Sequence, residues 1–139
     1  MKETIKSYRT ILRPFAGTDY REVSHKARTV YKQIASKTKR RPYVRSAYFN
    51  GEKVFLDYFW QHLQAKNWGD KLRRLKYYEC AIDLIKNSRL SPVEKINPND
   101  QSEMLYRFSG VTRERRSFLV QIKKDLKTGN RHFMSVFPA

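Results

Sequence analysis

The chain has a single cysteine, Cys80. A lone thiol excludes an intramolecular disulfide and any cysteine-rich zinc site. Its neighbours Ala81, Ile82 and Leu84 follow helical spacing, so Cys80 reads as a small buried hydrophobe. A free thiol also fits a reducing compartment. Glycine is scarce, with five in 139 residues, and no glycine-rich phosphate loop occurs. The three histidines, His25, His62 and His132, form no i, i+4 pair and sit in no carboxylate cluster. No metal motif follows, and neither a metal nor a cofactor is expected. A GxSxG or comparable nucleophile signature is also missing. Nucleotide-dependent, metallohydrolase and acyl-transfer chemistry therefore lack support. No apolar run approaches membrane-spanning length, and the amino-terminal residues lack the apolar core of a signal peptide. The expectation is a soluble, cytoplasmic protein without a membrane partner.

Acidic residues are few: 13 Asp and Glu face 30 Lys and Arg, for a formal charge of +17. Such an excess costs self-repulsion in the folded state, and a polyanionic partner explains it most simply. Nucleic acid is the expected partner, RNA before DNA. The chain is nevertheless 40% hydrophobic and 14% aromatic, too much apolar material for a disordered polymer.

Residues 1–15 place Ile5, Tyr8, Ile11, Leu12 and Phe15 at helical spacing, and Pro14 limits that segment; it reads as a short helix or an ordered arm. Val23, Ala27, Val30, Tyr31 and Ile34 form one stripe and predict a helix over 20–36. Residues 37–42 are a basic link ending in proline, either a solvated connector or a phosphate-contacting edge. Residues 43–50 and 53–56 read as extended, with Asn50-Gly51 as a two-residue hairpin signal. A helix follows from Asp57, a candidate N-cap, and a second spans 70–87. Lys71, Arg73, Arg74 and Lys76 fall near the start of that second helix. Cations there oppose the helix dipole at about a few tenths of a kcal/mol each, which hints at use. Residues 91–102 contain two prolines and read as a long loop.

The remainder predicts three antiparallel strands over 104–109, 117–124 and 132–137, with Gly110 ending the first. The fold expected is α+β: amino-terminal helices followed by a three- to four-stranded antiparallel sheet. Alternation in the middle strand presents Gln121 and Lys123 on a polar face, which fits either a solvated surface or a site. Cations, aromatics and hydroxyls on a sheet can bind RNA. They can also cleave it without metal, the substrate 2′-OH being the nucleophile. His132 is the acid–base candidate. Arg107, Lys123 and Arg131 could stabilise charge on the phosphate, and Ser135 or Tyr106 could orient it. Strict alternation puts His132 and Ser135 on opposite faces unless a bulge intervenes.

The order of strand, two helices, loop and three-stranded meander resembles the barnase/EndoU/colicin/RelE-like (BECR) nuclease superfold, and small proteins of phages and integrative elements placed in it. The residues carrying the resemblance are RRPYVRSAYFNGEKVFLDYFWQHL (40–63), RLKYYECAIDLIKNS (74–88), and LYRFSGVT, FLVQIKKD and HFMSVFP in the meander. It implies a nuclease-type domain over residues 40–139, with residues 1–39 as a helical extension. It also implies metal-independent endoribonuclease activity of a toxin-like protein, with room for a cognate inhibitor protein. The Lys/Arg/Tyr pattern of RelE-like members points to Arg74, Lys76, Arg107, Lys123 and Tyr106; histidine-using members point to His132. No second histidine lies in the meander. The resulting expectation has His132, Lys123, Arg107 and Tyr106 as catalytic residues and Arg73, Arg74, Lys76, Gln121, Arg131 and Ser135 as nucleic-acid contacts. The alternative from another class is a non-catalytic RNA- or DNA-binding protein of a mobile element.

Overall fold

A computed structural model describes residues 6–139. Strand β1 (Tyr8–Arg9) precedes helix α1 (Tyr20–Ala35), then come strands β2 (Tyr43–Ser46) and β3 (Glu52–Phe55). Helices α2 (Asp57–Leu63), α3 (Trp68–Lys76) and α4 (Tyr78–Asn87) follow, and strands β4 (Val93–Asn97), β5 (Asp100–Val111), β6 (Ser117–Asp125) and β7 (Arg131–Pro138) complete the chain. Of residues 1–15, read as a short helix or an ordered arm, 1–5 lie outside the described residues; residues 6–15 form no helix and carry β1.

The expected three- to four-stranded antiparallel sheet is corrected: the described residues form a seven-stranded mixed sheet, curled into a half-barrel, with four helices. Its main order is β1-β5-β6-β7-β3-β2, and β4 pairs along the same side of β5 as β1. Two pairings are parallel, β1 with β5 and β3 with β7. The curl brings the β2–β3 loop back toward β5: Phe49 meets the rings of Tyr106 and Phe108 edge-on, and the Tyr48 hydroxyl donates to Glu94 of β4.

Local causes account for β4 and for the shape of the β2–β3 connection. Residues 91–102, expected as a loop, hold β4 and the start of β5, joined by a tight hairpin with Asn97 opposite Asp100. The Asn99 amide donates to Asn97 Oδ1, so the polar side chain closes the turn. β4 shows no buried face, which removes the alternation by which a strand is read. The β2–β3 connection is longer than two residues: Asn50 and Gly51 do take positive φ, but Tyr48 and Phe49 loop inward to fill the core. Gly110 does not end a strand. It lies within β5 opposite Phe118, whose fully buried ring occupies the room a side chain would need.

The inner face of the sheet carries Phe108, Phe118, Val120, Ile122, Phe133 and Val136, all in the core. The α3–α4 junction packs there, Tyr77 lying 5.7 Å from Phe118 and Tyr78 6.0 Å from Phe133. Val23 and Ala27 of α1 belong to the same core. β1 and the residue after it are held by side chains as well as backbone, since the Tyr8 and Thr10 hydroxyls both donate to Asp83 at 2.8 Å. Burial and that carboxylate push the Tyr8 pKa up to about 12.

The expected single helix over 70–87 breaks at Tyr77. Arg73, Arg74 and Lys76 thereby fall in the last turn of α3. Cations complement the dipole at a helix C-terminus, so the anticipated electrostatic cost is absent for these three, while Lys71 stays as the fourth residue of α3. Asp57 opens α2 without capping it by its side chain; its carboxylate instead takes two hydrogen bonds from Arg41, at 2.9 and 3.1 Å.

The Gly110–Phe118 contact gives a direct test of the core. A methyl at Gly110 would meet two Phe118 ring carbons at 2.8 Å, so Gly110→Ala should destabilise the fold by about 1–3 kcal/mol as an overpacked site. Urea unfolding measures it; a stability equal to wild type would contradict this packing.

Candidate functional site

The polar face of the meander is the outer face of the curled sheet. Side chains directly opposite each other on neighbouring strands share a face. Arg107, Gln121 and Ser135 form one such row across β5, β6 and β7. Leu105, Lys123 and His132 form the next, and the row continues through Phe55 of β3 to Tyr43 of β2.

His132 and Ser135 share this face because β7 carries an extra residue. Ser135 pairs with Gln121 and Phe133 with Ile122, which leaves Met134 as a bulge. Phe133 and Val136 are both fully buried although three residues apart, which a regular strand does not permit. Burying two such side chains is worth about 1.5–3 kcal/mol each, enough to outweigh one irregular ladder position. The strict-alternation expectation of opposite faces is corrected accordingly.

Helices α2 and α3 run along β7 beyond the short β3 pairing and wall this face on one side. Between them and the sheet lies a cleft of about 410 Å³, lined by His62, Lys66, Asp70, Arg73, Arg74, Arg107, Gln121, Ser135 and neighbours. Arg74 donates to the buried Ser135 hydroxyl. Arg107 donates to Gln121 Oε1 at 3.1 Å, and the Gln121 amide contacts Met134 Sδ at 3.3 Å. The two guanidinium groups lie 5.5 and 5.4 Å from the Phe137 ring, so one aromatic ring positions both. Asp70 pairs with Arg73. Among the described residues, no carboxylate forms an ion pair with Arg74 or Arg107. Burial lowers the Arg74 pKa, against the pull of Asp70 and with the push of Arg73, yet a guanidinium keeps its charge.

One row away, Lys123 donates to Glu103 at 3.1 Å and sits 3.8 Å from the centre of the Tyr58 ring. Tyr58 stacks on His62 at 5.8 Å and lies 6.3 Å from His132. His132 Nδ1 is buried and has no hydrogen-bond partner among the described residues. Burial lowers the His62 pKa, helped by Lys66, Arg74 and Lys123. Burial also lowers that of His132, helped by Arg41 and Lys123 and opposed by Asp57 and Asp125. Both imidazoles are held toward the neutral form.

Of the expected residues, the fold gathers Arg73, Arg74, Arg107, Gln121 and Ser135 in the cleft and sets Lys123 and His132 beside it. Tyr106 faces inward opposite Ile122 and is buried. Arg131 lies on the inner side, its guanidinium 4.5 Å from the Phe49 ring. Lys76 does not line the cleft. Sequence reasoning overlooked His62 and Tyr58. Their i, i+4 spacing on α2, on the face beside the buried Phe59 and Leu63, was the available signal. It brings a second histidine to the meander from outside it. Among the described residues, no three His, Cys, Asp or Glu side chains gather to hold a metal ion, and no helix is long and apolar enough to cross a membrane. No protein-family model, curated protein or solved structure matches the chain.

The two lowered histidines set a pH dependence. Their folded pKa values lie below the ordinary 6.5, so between those values the unfolded chain binds more protons and stability rises with pH. Lowering the pH from about 7 to about 5 should depress the thermal midpoint, while most carboxylates titrate at lower pH. The double variant His62→Gln/His132→Gln should flatten that slope; an identical slope in wild type and variant would refute the assignment.

Proposed function

We propose that the protein binds RNA, with the outer-face cleft taking the phosphate backbone. The observation that carries this reading is the pair Arg74 and Arg107. They converge on one ring and on the Ser135–Gln121 row, with no carboxylate ion pair for either among the described residues. A planar fork of donors matches phosphate oxygens. The formal charge of +17 supplies long-range attraction for a polyanion. DNA offers the same backbone, and contacts to the 2′-OH are what would separate the two.

Binding to total RNA should weaken steeply with salt, since each neutralised phosphate releases counterions. Arg74→Ala and Arg107→Ala should each lower affinity and reduce the salt slope by about 0.7–1. Lys86→Ala, on α4 behind the inner face, serves as the control. Fluorescence anisotropy against salt concentration measures all three. Equal losses at Lys86 and Arg107 would overturn the cleft as the binding surface.

His62 in the cleft favours a second reading, metal-independent RNA cleavage. A neutral imidazole can take the 2′-OH proton as the 2′-oxygen bonds to phosphorus. The phosphorus–5′-oxygen bond then breaks, the 5′-oxygen leaves with a proton from solvent, and a 2′,3′-cyclic phosphate remains. Arg74 and Arg107 would stabilise the pentavalent phosphate. Incubation with RNA in EDTA should yield cyclic-phosphate ends, and His62→Gln should slow their appearance by about 10²-fold or more. Intact RNA under conditions of saturated binding would leave the protein a binder alone.

A further inference from the structure

The outer face extends well past the cleft. Beyond His132 the same row reaches Phe55 and Tyr43, whose side chains point outward because Val44 and Val54 between them point into the core. The two rings meet at 6.4 Å and both stay partly exposed. They line a separate recess of about 670 Å³ together with Lys39, Arg40, Arg41 and Lys53. Cations lie against the rings: Arg41 is 4.5 Å from the centre of Phe55, and Lys53 is 4.6 Å from that of Tyr43. Asp57 holds Arg41 in place through its two hydrogen bonds. An apolar pair serving only the core would face inward, as Val44 and Val54 do. An outward aromatic pair under basic side chains is what unstacked bases recognise, since every base offers a π-face.

We propose that Tyr43 and Phe55 form a base-stacking platform for single-stranded RNA, one strand running from this recess across His132 to the Arg74–Arg107 cleft. The proposal rests on the RNA-binding reading above and names its substrate class. Four strand spacings separate β2 from β5, or about 19 Å. Basic-aromatic surfaces of this sort cover about 4–16 nucleotides. A duplex keeps its base faces stacked inside and presents backbone and groove edges, so it can use the cleft but not the platform.

The test compares a labelled oligouridylate of about twelve nucleotides with the same strand annealed to its complement. Tyr43→Leu and Phe55→Leu keep an apolar side chain but remove the π-face. Each should weaken single-strand binding about five-fold or more, the lower bound for one lost stack, with an unchanged salt slope. Tyr43→Phe should bind as wild type does, and duplex affinity should be the same in all three variants. If Arg107→Ala weakens binding while both leucine variants bind like wild type, the platform is refuted and the cleft stands. If Arg107→Ala is also without effect, the RNA-binding reading itself falls.

Discussion

Between the Gln121–Ser135 and Ile122–Phe133 pairs, β7 holds one residue more than β6. That extra residue, Met134, decides which side chains can act together. It lets Phe133 and Val136 both bury on the inner face, and the same shift turns His132 and Ser135 outward. Hydrophobic burial therefore dictates the composition of the polar face. The demand for two buried anchors three residues apart cannot be met by a regular strand.

The outer face is also shaped by what surrounds it. Because β3 pairs with β7 only at Arg131 and His132, the rest of the β7 edge is free for α2 and α3. Phe59 of α2 stacks on Phe133 from the inner side, while Tyr58 reaches round to Lys123 and His132 on the outer side. One helix straddling one strand edge thus joins the core to the cleft. The break at Tyr77 sends α4 beneath the sheet and leaves Arg74 at the end of α3, over Ser135. Cation placement follows from helix geometry rather than from strain.

Much of this was readable from residues. The strong alternation of Phe118, Val120 and Ile122 marks β6 and its polar side, and the stripe through Val23 and Ala27 marks α1. The three-residue gap between Phe133 and Val136, both apolar in a strand, was a bulge signal in plain view. Other features left little trace. β4 has no buried face, β1 is two residues long, and both parallel pairings join segments far apart in the chain. Alternation along β5 sends Tyr106 inward and Arg107 out, while the β5–β6 register decides that Arg107 meets Gln121. The strands legible from alternation therefore made a smaller antiparallel sheet than the one these pairings build.

Function here rests on the site rather than the fold. The outer face, from Tyr43 to Arg107, is proposed as one continuous surface for an RNA strand. Photocross-linking with 4-thiouridine-substituted RNA, followed by mass spectrometry of the attached peptides, tests it most directly. The account predicts cross-links on peptides containing Tyr43, Phe55, His132 and Phe137. Cross-links spread evenly over the molecule, or concentrated on α1 and α4, would contradict it.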